Sequence, residues 1–464
     1  MLATGVAALS LMVSSLPQLP TAVTQTARRA IAPRGWNGFD SQLNHIDEAQ
    51  LNATADALAK QLLPYGFNYL VMDAGWFSGS IHDQYGRPRP NATMYPSTRV
   101  EAEPYPTMAP IVDAMRSRGL ELGIWYIRGA YAPAVAAKTR VKDTPYTLDE
   151  IVNQDPENLG ECLWDPVQVA VNASHPGAQP YYDSLAQLFV EEWGVSFVKF
   201  DCAYLPHGVE SSMQELLLFA SAMDKVSVRG TGRRPQLSIS PGGVRINQQR
   251  AQVLVDQIPG AMYRIWPDYH GGLPLGQMDE AATLVEMGIY MKNGTFPDWD
   301  MLPGVCATTM ALWCVTGAPL MYGYALPADD VALSFLTNAE ALLINAEATD
   351  PRPFLNPHAN TSFGNVSGWS SDLSDNRMAV ALVNIGQEVV HVTTAFADLG
   401  LPLTVHYDVL NVFAHSVQTH VADGFSSTIA AYEKHNNHPA AGAVLYLLSP
   451  SIGPVQPNPT TGNG

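Results

Sequence analysis

Two acidic side chains end short strand-forming runs in this chain, and each has a cation close by. The segment Lys199-Phe200-Asp201-Cys202 closes a buried run that begins after Gly194, which breaks the helical stretch Asp183 to Trp193. Lys199 and Asp201 lie two residues apart, so on a strand both project to one face. An ammonium there favours the charged form of a carboxylate and can hold a hydroxyl group. The second acid is in Tyr263-Arg264-Ile265-Trp266-Pro267-Asp268. Crowding by Trp266, Pro267 and Tyr269 predicts partial desolvation and a raised pKa, as a proton donor requires. Two strand-end carboxyls are what cleavage of a glycosidic bond needs. One attacks the anomeric carbon and the other passes a proton, about 5 to 5.5 Å apart in the retaining mode. On pattern alone each acid fits a helix cap or a surface ion pair about as well.

The elements that must position these acids are short apolar runs alternating with helical stretches from Gly35 to Gly323. Strands are expected at Phe67 to Asp73, Leu120 to Ile127, Phe197 to Asp201, Gln236 to Ser240 and Gly317 to Tyr322. Apolar residues recur at helical spacing over Asp47 to Leu63, Met108 to Arg118, Tyr181 to Trp193 and Ser211 to Ala222. Such alternation implies a parallel sheet, and about eight repeats imply a closed barrel whose catalytic groups sit at the C-terminal ends of its strands. The texture changes near Asn345. Arg377 to Ala395, Leu403 to Phe413 and Gly442 to Leu448 are β-rich and punctuated by turn residues, which suggests an antiparallel sandwich. The expected α/β organisation is a (β/α)8 TIM barrel over 30–340 and a C-terminal antiparallel β-sandwich over 345–450. A signal peptide and leader are expected over 1–27, and a disordered tail over 451–464.

Composition narrows the class further. The 464 residues are 47% hydrophobic and 15% charged, which fits a globular chain with a large core. A net charge of −18 argues against nucleic acid or an anionic membrane as partner. The apolar segment from Met1 to Val13 and six Asn-X-Ser/Thr sequons, at Asn52, Asn91, Asn172, Asn293, Asn360 and Asn365, point to a secreted or a vacuolar or lysosomal glycoprotein. Four cysteines without CxxC spacing or a histidine cluster do not form a zinc site, and neither metal nor cofactor is expected.

Five motifs, in order, resemble glycoside hydrolase family 27, the melibiase or α-galactosidase family, over Gly35 to Pro450. They are Gly35-Trp36-Asn37-Gly38-Phe39, Tyr69 to Trp76, Lys199 to Cys202, Tyr263 to Asp268, and Pro297-Asp298-Trp299-Asp300-Met301-Leu302. The resemblance implies a retaining exo-glycosidase acting on terminal α-D-galactose, with Asp201 as nucleophile and Asp268 as acid/base. Asp73, Lys199, Arg264 and Asp300 would bind sugar hydroxyls, and Trp36, Phe39, Trp125 and Trp76 would line the sugar site. It also implies a disulfide between Cys162 and Cys202, and a homodimer is compatible with it. Cys306 and Cys314, in an apolar helical run, read as buried free thiols.

Several positions depart from the family pattern. The second of its paired aspartates after the second strand is Ala74 here, Phe39 replaces a tryptophan, and Trp125 replaces a tyrosine. Ser240-Pro241-Gly242-Gly243 stands where the family often has an acid or cysteine. Losing a carboxylate that helps read O4 and O6 of galactose weakens discrimination against L-arabinopyranose, which lacks the C6 hydroxymethyl group. A β-L-arabinopyranosidase, or a dual-specificity enzyme, is therefore the alternative within enzymes. A sugar-binding pseudo-hydrolase is the non-enzymatic one.

Overall fold

The computed structural model describes residues 30–43, 45–77, 81–154, 162, 167–204, 209–240, 244–432 and 442–451. The expected leader, nearly all of the expected tail, and 241–243 lie outside the described residues.

Eight short strands form one curled parallel sheet: β1 (Arg34–Asn37), β2 (Tyr69–Met72), β3 (Glu121–Ile127), β4 (Phe197–Asp201), β5 (Gln236–Ile239), β6 (Met262–Arg264), β7 (Phe296–Asp298) and β8 (Leu320–Tyr322). Their order is β8-β1-β2-β3-β4-β5-β6-β7. A parallel bridge from Leu302, just past β7, to Tyr322 draws the last seam together. Helices run between successive strands: α1 (Glu48–Gln61), α2 (Ala109–Arg116), α3 (Ala178–Ala186), α4 (Val209–Asp224), α5 (Gln248–Gln257), α6 (Leu275–Glu286) and α7 (Ala307–Val315). This is the (β/α)8 barrel.

Local chemistry accounts for these boundaries. Asp47 and Gln50 form a reciprocal capping box that starts α1, and Leu51, Ala55 and Leu58 bury one stripe of it against the sheet. A Cβ on Gly35 would collide with the Tyr69 carbonyl oxygen, so glycine lets β1 and β2 lie at ladder distance. The helix expected up to Trp193 is split. It begins earlier, at Ala178, and its last turn, Gln187–Glu192, widens into a π-helix.

The C-terminal region is an antiparallel sandwich. Its strands are β9 (Thr349–Leu355), β10 (Val366–Asp372), β11 (Met378–Asn384), β12 (Val390–Ala395), β13 (Tyr407–Asn411), β14 (Ser416–Val421), β15 (Gly424–Ile429) and β16 (Ala443–Pro450). One sheet runs β9-β10-β11-β16-β13-β14 and the other pairs β12 with β15. Val380, Leu382, Phe396, Tyr407, Phe425 and Leu448 form its interior. Every residue of α7 is buried, and α7 packs on β10, β11 and β16. Trp299, beside the barrel mouth, meets Trp369 of β10 edge-on with ring centroids 5.9 Å apart. The sandwich thus shares the barrel's apolar core.

Cys314 is buried and free, as expected, whereas Cys306 is only half-buried. It occupies the N-cap of α7, outside the helix's apolar interior.

Candidate active site

The chemistry-bearing residues gather at the C-terminal ends of the strands, where parallel barrels hold their reactive groups. Asn37 ends β1, Asp73 follows β2, Trp125 lies on β3, and Lys199 and Asp201 lie on β4. Arg264 ends β6 with Asp268 four residues on, and Asp298 ends β7 with Asp300 two residues on. Parallel pairing puts Trp125 opposite Lys199 and Ile127 opposite Asp201.

Two polar clusters result. In the first, Asp73 Oδ2 accepts from Lys199 Nζ and from Asn37 Nδ2, both at 2.8 Å, and Asp73 Oδ1 accepts from the Ala74 amide at 2.8 Å. Burial alone would lower the Lys199 pKa, but Asp73 and Asp201 outweigh it and raise it. The ammonium also lies 5.9 Å from the Phe39 ring centroid. Asp201 is held from two sides. Trp125 Nε1 donates to Oδ2 at 2.9 Å, and the Cys202 amide donates to Oδ1 at 2.6 Å.

In the second cluster the Arg264 guanidinium spans two acids, reaching Asp300 Oδ1 at 2.7 Å and Asp268 Oδ1 at 2.9 Å. Asp300 also accepts from the Tyr269 and Met301 amides, each at 2.7 Å. Those bonds hold it at φ +91°, a conformation an L-residue keeps only when its surroundings impose it. Burial raises Asp300, and burial carries Asp298 up to about 6 against the pull of Arg264.

Asp268 departs from the sequence-based expectation. Desolvation pushes its carboxyl up, but the charge and hydrogen bond of Arg264, with Lys199 and His270 behind them, outweigh it and hold the group below its ordinary value. Of the aromatics expected to crowd it, Tyr269 turns inward and Trp266 packs against Gly276 and Arg245. Asp268 is left with 52% of its side chain exposed.

Two expected sugar-lining aromatics are elsewhere. Trp36 and Trp76 have no exposed surface. Trp36 Nε1 donates to the Tyr324 carbonyl, while Trp76 bonds the Trp125 carbonyl and packs among Phe77, Phe189 and Trp193. Both rings are spent on packing and offer no face to a sugar. Trp125 is 4% exposed and serves chiefly as the donor to Asp201. Phe39 is half-buried at the site.

Cys162 and Cys202 are disulfide-bonded, which ties the residue after Asp201 to the segment after β3. Sequence reasoning missed Asn37 and Asp40 as site residues. Asp40 lies three residues past β1, and an acid just beyond a barrel strand was itself the signal. Its Oδ2 is buried without a hydrogen-bond partner among the described residues, against Gly323, where a Cβ would strike it. Burial and then Asp300 and Asp73 raise this carboxyl to about 7, despite Lys199 and Arg264. Six carboxyls (Asp40, Asp73, Asp201, Asp268, Asp298 and Asp300) thus share the mouth with Lys199 and Arg264. Among them burial, and then neighbouring carboxylates, raise Asp40 most, to about 7, so it is the member that carries a proton near neutral pH. Among the described residues, no group of three or more His, Cys, Asp or Glu side chains has metal-holding geometry.

Comparison with known proteins gives a consistent picture. A family described as "Alpha galactosidase C-terminal beta sandwich domain" matches residues 363–447. An alpha-galactosidase of Coffea arabica is 23% identical over 428 residues, spanning 90% of this chain and 93% of that protein. One from Cyamopsis tetragonoloba is 24% identical, spanning 90% of this chain and 86% of that protein. Among solved structures, a β-L-arabinopyranosidase from Geobacillus stearothermophilus superposes with a TM-score of 0.77 at 25% identity, over 92% of this chain and 98% of that one. Alpha-galactosidase I of Mortierella vinacea shares the fold at 17% identity, with a TM-score of 0.64 over 93% of this chain and 99% of that one.

Proposed function

We infer the reaction from the premise that the chain belongs to glycoside hydrolase family 27: it is a retaining exo-glycosidase that removes terminal α-D-galactosyl residues from oligosaccharides or glycoconjugates. The observation that supports this reading is that Asp201 and Asp268 both stand at the C-terminal ends of barrel strands, with Lys199 in electrostatic reach of each.

In the first step an Asp201 oxygen attacks the anomeric carbon while Asp268 gives its proton to the departing glycosidic oxygen. The C–O bond breaks and its electron pair leaves with the aglycone. In the second step Asp268 takes a proton from water, whose oxygen displaces Asp201 with net retention. Trp125 and the Cys202 amide aim the Asp201 carboxylate, so little reorganisation is needed at the moment of attack. Asp73, Lys199, Arg264 and Asp300 present polar groups to sugar hydroxyls, and Phe39 offers an apolar face.

A second reading rests on Ala74. Its methyl group stands beside Asp73 and supplies no hydrogen-bonding group where a C6 hydroxymethyl would be read. β-L-Arabinopyranoside is therefore the competing substrate, as in the enzyme from Geobacillus stearothermophilus. Rates on p-nitrophenyl α-D-galactopyranoside and p-nitrophenyl β-L-arabinopyranoside separate the two. A higher kcat/KM on the galactoside supports the first reading, and equal or higher kcat/KM on the arabinoside replaces it with the second.

The apolar N-terminal segment and the sequons support a secreted or a vacuolar or lysosomal destination, and Asn172, Asn360 and Asn365 are exposed where a glycan would attach. Mass spectrometry of the natural protein before and after endoglycosidase treatment tests this, and an unglycosylated chain would contradict it.

A further inference from the structure

Behind Asp201 lies a fully buried ion pair that the catalytic scheme does not use. Arg128 follows β3 and pairs with Glu215 of α4, and their side chains are 1% and 0% exposed. The other Glu215 oxygen accepts from the Tyr182 hydroxyl of α3 at 2.6 Å and from the Val171 amide at 3.0 Å. One carboxylate therefore gathers α3, α4, the segment at Val171 and the end of β3.

A buried ion pair is a poor way to add stability, since well-packed apolar residues often do as well. What this pair does is fix direction. The Arg128 amide donates to the Asp201 carbonyl at 3.1 Å, and Arg128 Nε donates to the Cys202 carbonyl at 3.0 Å. One residue thus claims two successive carbonyls of the nucleophile segment. The peptide turns there with Cys202 at φ +59°, which a cysteine adopts only when held. The Cys202 amide in turn donates to Asp201 Oδ1. A line of contacts runs from Glu215 through Arg128 and the Cys202 peptide to the carboxylate that attacks.

We propose that Glu215 is a positioning residue for the reaction, acting through Arg128 to hold the Asp201–Cys202 peptide so that the Asp201 carboxylate points at the anomeric carbon. The proposal rests on the reading of Asp201 as nucleophile. Replacing Glu215 by glutamine keeps the shape and an acceptor for Tyr182 or Val171, but removes the charge that anchors Arg128.

The test is trapping by 5-fluoro-α-D-galactopyranosyl fluoride. The Asp201 oxygen bonds to C1, the C1–F bond breaks, and fluoride leaves with the electron pair, so Asp268 need give no proton. The inactivation rate constant then reads nucleophilic attack alone, and intact mass gives the fraction of chains that can be labelled. For Glu215→Gln the expected result is one label per chain, an inactivation constant lowered at least tenfold, and an inhibitor affinity within twofold of the parent. Tyr182→Phe, which removes one donor to Glu215, should lower the same constant about two- to fivefold, and it carries the test if the glutamine variant does not fold.

A glutamine variant that is fully labelled at the parental rate overturns the proposal. So does a rate loss that disappears once corrected for the labelled fraction, because that would show Glu215 to be merely structural. Labelling of the parent protein at a residue other than Asp201 would instead overturn the nucleophile assignment, and the proposal with it.

Discussion

The two halves of the barrel mouth hold their reactive carboxyls differently. Asp201 is part of a strand, bonded through both oxygens and tied behind to Arg128, Glu215 and a disulfide. Asp268 stands on a loop four residues past its strand, half-exposed, held by one guanidinium that also serves Asp300. Under the proposed mechanism Asp201 is the attacking group, which must be aimed, and rigid surroundings aim it. Asp268 is the proposed proton carrier, which must change charge twice in each cycle, and an exposed carboxyl beside a cation can respond when substrate covers it.

Removing either group should expose the contrast. Asp201→Asn is expected to lower kcat by about four orders of magnitude or more, for every leaving group, with the fold intact by circular dichroism. Activity near the parental level would remove Asp201 from the mechanism. Asp268→Asn should lower kcat by about 10²- to 10⁴-fold on substrates with poor leaving groups. The glycosylation step on a dinitrophenyl glycoside, which needs little acid assistance, should suffer far less. Equal losses on both would contradict its role as proton donor.

The pH dependence sharpens the comparison at Asp268 itself. In the free protein Arg264 depresses this carboxyl, so its protonated form is lost as pH rises through a value below the ordinary one. Bound sugar would strip water from the exposed face and raise it. The basic limb of kcat, which reports the bound enzyme, should therefore lie at higher pH than that of kcat/KM, which reports the free enzyme. Coincident limbs would show that the substrate does not alter the Arg264 contact.

The smallest effect is expected at Asp40, whose Oδ2 has no hydrogen-bond partner among the described residues. Its folded-state carboxyl titrates near 7, above its unfolded value, so the folded chain holds a proton that the unfolded chain releases. The stability this contributes is complete below the unfolded value and is lost as pH rises through about 7. Asp40→Asn should raise Tm by about 2 °C at pH 8 and leave it unchanged at pH 4. A gain at both pH values would mean that packing, not charge, sets the effect.

What could be read from the sequence follows the same division. β4 was legible to the residue because an alternating strand places Lys199 and Asp201 by local geometry alone. The Asp268 environment was not, since it depends on how a loop folds back over Arg264. Trp36 and Trp76 were misplaced because membership of a motif does not tell which way a ring turns. In the sandwich, β9 and β10 were missed. β9 carries Pro351 and Pro353, which depart from a strand pattern, and the sheet accommodates them because β9 is an edge strand. Three of the seven β10 residues are serines, poor strand formers by type, yet Ser367, Ser370 and Ser371 are fully buried in the strand. Arg128 and Glu215 lie outside the motif residues, and only the three-dimensional contacts bring them behind Asp201.

The account turns on double displacement by Asp201 and Asp268 at a galactose site. The most direct measurement is the anomeric configuration of the sugar first released from p-nitrophenyl α-D-galactopyranoside, followed by proton NMR before mutarotation. With a covalent intermediate on Asp201, α-D-galactose appears first and β-D-galactose only later, by mutarotation. Initial release of β-D-galactose would mean direct attack by water, and would contradict a covalent intermediate on Asp201.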